Sequence, residues 1–337
     1  MKANKTGVKI ALLCALVFLG TGAPAFSRSG IPHVGELRDA LDTFAGNMAT
    51  ALPFNAAMGL NWSDAYIGSF FPSLPPHFGF GISGGFTTVD VDILGDMLNV
   101  FSPGLSGMLF TFGGFPLSGW IAEGRLGGFF LPFDVGVKFG FRPVVSGSGS
   151  LEMDYLLVGG DVRYALLRGG AVLPAISVGV GFSHLSAGIG MGIGNTAFEF
   201  DSPTGTHTLR VNDPRLGVNW STTTLDFKAQ ISKSLLVVTP YLGVGASHGR
   251  SRVSYGVNAT LETSDISMDE TREILKLYGI NVDETGGFSS EVGVNGWSFR
   301  AFGGLSLNLL VLRLDFTLLY NARSGNFGAT LGARIQI

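Results

Sequence analysis

Apolar and polar residues alternate along most of this chain, with the period of two that is typical of a strand with one apolar face. In 131–142 the odd positions hold Leu, Phe and Val, and the even positions hold Pro, Asp, Gly, Lys and Arg. The same alternation recurs in 310–320 and 326–337. It predicts about twelve strands, with ten to fourteen as the range, near 54–62, 77–90, 105–113, 118–128, 131–143, 153–168, 172–188, 216–232, 236–256, 295–309, 310–321 and 326–337.

The predicted strands are about ten to twelve residues long, whereas strands of globular proteins average about five or six. A tilted strand needs about 9–11 residues to cross a bilayer. In lipid, only a closed sheet leaves no unpaired backbone groups at an edge. The pattern therefore predicts an all-β fold, a transmembrane antiparallel β-barrel. A soluble β-sandwich or solenoid is the alternative, with shorter strands and a more charged outer face.

Three segments have helical rather than strand features, and one of them is 92–101. In 33–51, Leu37, Leu41, Phe44 and Met48 recur at spacings of four, three and four, with polar residues opposite. This helix is interpreted either as a plug in the barrel lumen or as a periplasmic helix on the rim. Ser267 to Glu270 forms a capping box, which predicts a short helix near 268–278 in the largest outer loop.

The first 25 residues have the features of an export signal. Lys2, Lys5 and Lys9 precede an apolar run from Ile10 to Leu19, and Ala23-Pro24-Ala25 fits a cleavage site. The run is too short for a membrane-spanning helix, which needs about 20 residues. We predict a signal peptide over 1–25, a helical plug or periplasmic segment over 26–52, and a barrel over 53–337 in a bacterial outer membrane.

Loop lengths predict which way the barrel faces, because outer-membrane barrels have short periplasmic turns and longer outer loops. With the C-terminus in the periplasm, the connections near 128–131, 168–172, 232–236 and 309–310 are periplasmic and short. Those near 143–152, 189–215 and 257–294 are outer and longer. The segment 91–104 is the exception, being long yet predicted on the periplasmic side.

The alternation directs a set of charged side chains to the face opposite the apolar one. An Arg or Lys facing lipid at mid-depth would cost about 2–4 kcal/mol, so this face is predicted to line the lumen, with Glu123 and Arg125 on it. Either these charges select passing solutes, or they form salt bridges that lock the barrel or hold a plug. The predicted lumen-facing charges are Asp134, Lys138, Arg142, Asp161, Arg163, Asp226, Lys228, Arg300, Arg313, Asp315 and Arg334.

Composition narrows the function classes. The 337 residues include 51 Gly and 27 Phe but only 14% charged residues, which excludes a disordered chain, and no basic run indicates nucleic-acid binding. The single Cys, Cys14, lies in the predicted signal, and the five His have no metal-ligand spacing. We predict no cofactor and no metal.

The G-x-S-x-G string at 81–85 lies in a Gly-rich strand without catalytic partners, so no enzymatic activity is predicted.

On these patterns the chain resembles bacterial outer-membrane β-barrel proteins over the signal and most of 54–337. The amphipathic N-terminal segment and the stretch Pro53-Phe54-Asn55-Ala56-Ala57 also resemble, with a different residue order, the N-terminal region of the long-chain fatty-acid transporter (FadL-type) barrels. That resemblance implies fourteen strands and a hatch that admits hydrophobic molecules. Ile337 stands where such barrels usually end in an aromatic residue.

The functional prediction is a channel or transporter for small solutes, including hydrophobic ones, gated by the N-terminal segment. Its expected partners are outer-membrane lipid, the transported molecules and the outer-membrane assembly machinery. The alternative is a non-transporting surface protein, an adhesin or structural protein, that acts through its outer loops.

Overall fold

The computed structural model describes residues 34–67, 77–90, 114–127, 132–141, 151–170, 172–192, 196–202, 205–263, 267, 269, 273 and 288–337. Within these residues, helix α1 (Val34–Ala56) precedes eleven strands. The strands are β1 (His77–Val89), β2 (Phe115–Gly127), β3 (Phe133–Phe141), β4 (Leu151–Arg168), β5 (Ala175–Gly192), β6 (Thr196–Ser202), β7 (Gly205–Ser232), β8 (Val238–Thr263), β9 (Phe288–Leu309), β10 (Leu312–Asn321) and β11 (Phe327–Gln336).

Ten of these strands close into an antiparallel barrel. The ring runs β5-β4-β3-β2-β1-β11-β10-β9-β8-β7, and pairing of β5 with β7 closes it. β6 pairs with β7 alone, as a hairpin outside the ring. Because the ring has no free edge, every strand exchanges main-chain hydrogen bonds with two neighbours, as a membrane-spanning sheet requires.

The prediction of a closed antiparallel barrel is confirmed, but the predicted count of about twelve strands is wrong. The segment 54–62 is not a wall strand: it holds the last turn of α1 and the irregular chain after it. Two other predicted elements lie outside the described residues, and so does residue 142. These elements are the strand near 105–113 and the loop helix near 268–278, apart from Asp269 and Glu273. At 54–62 the prediction failed because an apolar segment can be buried inside a barrel as well as built into its wall.

The two ends of the barrel differ in their connections. One end has the short connections 128–132, 169–174, 233–237 and 310–311, and we call it the short-turn end. The other, the long-loop end, has the connections that follow β1, β3, β5 and β8, together with the tight turn 322–326. Val89 pairs with Phe115, so the connection that includes 91–104 joins strand ends at the long-loop end. Residues 91–104 lie outside the described residues, and their predicted periplasmic side depended on the additional strand near 105–113, which also lies outside them.

The outer surface of the wall is apolar. On β3, Val135, Val137 and Phe139 face outward and are exposed, whereas Asp134 and Lys138 face inward and are buried. The same alternation exposes large apolar side chains on all ten wall strands, including Phe80, Phe182, Leu242 and Leu331. A belt of this kind is unfavourable in water and favourable in lipid, at about 25 cal/mol for each Å² of apolar surface. The barrel thus has transmembrane architecture.

Among the described residues, no helix is both long enough and apolar enough to cross a membrane.

Candidate functional site: a chain segment inside the barrel

Helix α1 lies in the lumen. It packs against β9, β8, β7, β1 and β5, strands from different sides of the ring that only an interior element can reach together. Ala45, Met48, Ala49 and Leu52 are completely or almost completely buried. Near the long-loop end, Asp42 accepts a hydrogen bond of 2.7 Å from the Tyr255 hydroxyl. Near the end of the helix, the Asn55 side-chain amide donates to Thr87 Oγ1 at 2.7 Å.

The lumen wall around α1 is mainly apolar in the half nearer the long-loop end, with the buried hydroxyls of Thr222 and Ser251 paired with each other at 2.9 Å. We call this region the apolar tier. Met48 and Leu52 are buried in it, and Phe44 packs against it in a partly buried position. The side chains of Leu37 and Leu41, the other two plug candidates, lie outside what the structure describes. The wall residues of the apolar tier are Leu117, Ile121, Tyr155, Leu157, Leu185, Trp220, Val253 and Val294.

Below α1 the chain leaves the helix and continues as an irregular segment, 57–67, toward the short-turn end. Gly59 and Leu60 have positive φ angles of 79° and 57°, which turn the chain away from the helix axis. All residues of this segment are buried except Asp64, which is partly exposed. An irregular segment cannot satisfy its own main-chain groups, so the wall must supply their hydrogen-bond partners.

Two lysines of the wall bind main-chain carbonyls at the start of this segment. Lys138 Nζ donates to the carbonyl oxygens of Ala56 and Met58, both at 2.7 Å. Lys228 Nζ donates to the carbonyl of Leu60 at 2.9 Å. From β2, the Glu123 carboxylate accepts from the Leu60 N–H and from the Trp62 indole N–H, each at 2.7 Å.

The end of the segment is held by arginines and by a carboxylate. Asp64 lies 3.1 Å from Arg313 and 3.0 Å from Arg334. Arg163 Nη1 donates to the Asp64 carbonyl at 2.7 Å, and Asp134 Oδ2 accepts from the Ile67 N–H at 3.0 Å. We call the wall residues that bind 56–67 the polar clamp: Glu123, Asp134, Lys138, Arg163, Lys228, Gln230, Ser232, Arg313 and Arg334.

The charged side chains of the wall also pair with one another. Asp134 lies between Arg125 and Arg163, at 2.5 and 2.7 Å. Asp161 lies between Arg125 and Lys228, at 2.7 and 2.5 Å. Nearby, Arg300 binds both carboxylate oxygens of Asp226 at 2.5 and 2.8 Å, and Asp315 lies 3.0 Å from Arg334. Pairing matters here because a buried charge without a partner is strongly destabilising.

Apart from Arg142, which is not among the described residues, the structure turns every predicted lumen charge to the interior. These charges lie at different depths, since Arg313 pairs with Asn308 beside the short turn and Arg300 pairs with Asn321 at the other end of β10. Most of them form ion pairs, one of the two alternatives that the sequence suggested. Sequence reasoning missed that Lys138, Arg163 and Lys228 also bind main-chain carbonyls of 56–64. It also missed Trp62, whose ring lies 4.5 Å from the Arg334 guanidinium and 5.7 Å from that of Arg125. No sequence signal links these groups, since more than 270 positions separate Trp62 from Arg334.

Comparison with known proteins adds little to this geometry. No protein-family model matches the sequence, and no curated protein matches it. Solved structures with some similarity include the outer membrane protease OmpT of Escherichia coli, at 11% identity over 80% of this chain and 99% of that one, with a TM-score of 0.39. The monoaromatic hydrocarbon channel CymD is 10% identical over 88% and 96% of the two chains, with a TM-score of 0.25. The toluene transporter TodX of Pseudomonas putida is 9% identical over 84% and 96%, with a TM-score of 0.26.

Similarity at this level carries no argument about function. It does correct one prediction. We expected no enzymatic activity, but a barrel with some similarity to this one is an outer-membrane protease. Barrel architecture is therefore no ground for excluding an enzyme.

Proposed function

We propose that this chain is an outer-membrane channel or transporter that receives small hydrophobic molecules at its long-loop end, with residues 34–67 acting as its gate. The observation that carries the proposal is the division of the lumen. An apolar tier surrounds α1, and a polar clamp holds the segment that follows it. Outer-membrane location, export by the segment 1–25 and delivery by the assembly machinery are parts of the same proposal.

The apolar tier favours hydrophobic solutes over ions. A molecule that buries apolar surface there gains about 25 cal/mol for each Å² removed from water. An ion would lose its hydration shell against Leu157, Leu185 and Val253, which offer no replacement ligands.

The contacts of the polar clamp can hold the segment in place, which closes the lumen, and they can also be broken to release it. The segment is joined to the wall by hydrogen bonds and ion pairs, and several of these reach main-chain carbonyls at Ala56, Met58 and Leu60. Water can replace such bonds when the segment moves, because the exchange conserves the number of hydrogen bonds. If the barrel were permanently closed, the ion pairs that Asp134, Asp161 and Asp226 form within the wall would be sufficient. Contacts to the main chain of the segment would not be needed.

Conductance across planar bilayers tests this proposal with three forms of the chain. They begin at residue 26, at residue 52 and at residue 68, and each is refolded and checked for heat-dependent mobility on a denaturing gel. The second form loses most of α1 but keeps the clamped segment, whereas the third loses both. We expect the first two to be closed and the third to conduct, because the polar clamp rather than the helix closes the short-turn end.

Two results would contradict this expectation. Stable conductance by the form that begins at residue 26 would identify an open pore. Silence of a folded form that begins at residue 68 would show that the wall side chains close the lumen by themselves. Uptake of toluene into vesicles by the same three forms then tests the solute class.

A second candidate is the surface protein that acts through its outer loops. It is favoured by the length of β7 and β8, which have 28 and 26 residues, more than the 9–11 or so that a crossing needs. Removing β6 and the part of β7 paired with it should abolish binding of an outer partner in this case and leave toluene uptake unchanged.

A further inference from the structure

The turns at the short-turn end have apolar tips. Val172 and Leu173 lie between β4 and β5, Leu235 and Leu236 between β7 and β8, and Leu310 and Val311 between β9 and β10. We call these six residues the apolar crescent, because the three turns are neighbours around the ring. Leu236 is 96% exposed and Leu310 is 99% exposed. In the remaining short turn, 128–131 reads Gly-Phe-Phe-Leu.

Two of these leucines also violate the usual chemistry of turns. Leu236 and Leu310 have φ angles of 44° and 57°, in the left-handed region where Gly, Asn and Asp are the ordinary choices. A leucine in either place is disfavoured by its backbone and, in water, by its exposed side chain as well. A hydrophobic environment removes the cost of exposing the side chain. The presence of leucine at these two positions therefore indicates that the turns lie in such an environment.

The three turns are joined to one another. Lys233 Nζ donates to the carbonyls of Gly170 and Leu173, at 2.8 and 3.2 Å. The Asn308 N–H donates to the Val237 carbonyl at 2.7 Å. The apolar tips are therefore held as one ordered surface and do not arise from independent loose loops.

The height of the apolar belt indicates what this surface contacts. On β10 the outward residues Leu312, Leu314, Phe316 and Leu318 lead to Tyr320, an aromatic residue of the kind that marks a membrane interface. The ten positions from Tyr320 to Leu310, at about 3.4 Å each and a tilt of about 35–45°, rise about 24–28 Å, which equals the apolar band of about 25 Å in such barrels. The band therefore extends to the tip of the turn, with no polar residue beyond it.

We propose that the apolar crescent is immersed in lipid, in contact with the acyl chains of the leaflet at the short-turn end. The turns of this end do not stand in water, and they anchor the barrel vertically in the membrane. The occupant is phospholipid because on β10 the outward belt continues without a polar residue into the crescent at Leu310. The tight turn at the opposite end, Ala322-Arg323-Ser324-Gly325, is polar and exposed, as a turn in water should be. The proposal is independent of what passes through the lumen.

Spin labels test this contact directly. In a Cys14→Ser background, Leu236→Cys, Leu310→Cys and the matched control Ala322→Cys each carry the chain's only thiol. The labelled proteins are refolded into phosphatidylcholine vesicles. Collision rates are then measured with oxygen, which partitions into lipid, and with a nickel chelate, which stays in water. At positions 236 and 310 we expect oxygen collisions to exceed nickel collisions several-fold, with the reverse at position 322.

Two results would overturn the proposal. Nickel accessibility at 236 and 310 equal to that at 322 would place the tips in water. Low collision rates with both reagents would place them against protein, which in these vesicles means a second copy of the chain. Val172→Cys, at a side chain that is 86% exposed, gives an independent reading if either leucine variant fails to refold.

Discussion

The two halves of the lumen are built by the same strands but have opposite chemistry. On β4, Leu157 lies in the apolar tier, whereas Asp161 and Arg163, two and three inward positions further along the strand, belong to the charged half. On β7, Trp220 lies in the apolar tier and Lys228 in the polar clamp. Alternation decides only which residues face inward. The position along each strand decides the chemistry at each depth.

The difference follows from the secondary structure that each half contains. A helix satisfies its interior main-chain groups by itself, so α1 can lie among apolar side chains and loses only the hydrogen bond that Pro53, which has no N–H, cannot make. The segment 57–67 has no such pattern, and its N–H and C=O groups need partners from the wall. The apolar tier therefore surrounds the helix, and the polar clamp begins where the helix ends, at Ala56.

The largest expected effect comes from Asp134 in the charged half. Asp134→Asn removes the charge between Arg125 and Arg163 and weakens the contact with the Ile67 N–H. Breaking a buried pair on one side costs about 3–5 kcal/mol, so the free energy of unfolding should fall by that amount. Urea unfolding in phospholipid vesicles measures it. Val137→Ala, on the outward face of the same strand, should cost less than about 1 kcal/mol. Equal losses would show that the charges at Asp134 do not stabilise the barrel.

Residues near Asp134 show how far sequence reasoning extends. Alternation is a local property, so the pattern in 131–142 is enough to direct Asp134 and Lys138 to one face and Val135 and Val137 to the other. The same reasoning fails at 54–62, because burial inside the lumen selects apolar residues just as lipid does. It also cannot find the partners of Asp64, since Arg313 and Arg334 are about 250 or more positions away and only the closed ring brings them near.

The stability of the apolar tier should depend on side-chain volume, whereas that of the charged half depends on charge. Leu52 is completely buried on α1 in the apolar tier, and Leu52→Ala should lower the free energy of unfolding by about 2–5 kcal/mol. A dry apolar cavity binds small apolar molecules, and a bound molecule stabilises the folded state. Saturating toluene should therefore restore part of the loss, seen as a higher midpoint of urea unfolding. Ser232→Ala in the polar clamp is the control, and an equal response of both variants to toluene would contradict an apolar receiving site.

The smallest effect should come from Asp64, and it should be confined to the gate. Asp64 is partly exposed, and its ion pairs with Arg313 and Arg334 are weakened by solvent, so Asp64→Asn should cost about 1–2 kcal/mol. The wall keeps its own pairs, so the loss should appear as local opening of 57–67. Hydrogen exchange detects this, and the amides of Leu60, Ala65 and Ile67 should exchange about tenfold faster for each 1.4 kcal/mol lost, with the wall strands unchanged.

A surface pair provides the control for Asp64. Glu291 lies 3.9 Å from Arg252, and both side chains are more than half exposed, so Glu291→Gln should leave exchange in 57–67 unaltered. If Asp64→Asn also leaves it unaltered, Asp64 does not hold the gate, and the lysine contacts to Ala56, Met58 and Leu60 carry closure alone. If exchange instead rises equally in the segment and in β10 and β11, the gate and the wall open together. The segment would then be a structural part of the barrel rather than an element that moves within it, because a gate must open at a lower free energy than the wall that surrounds it.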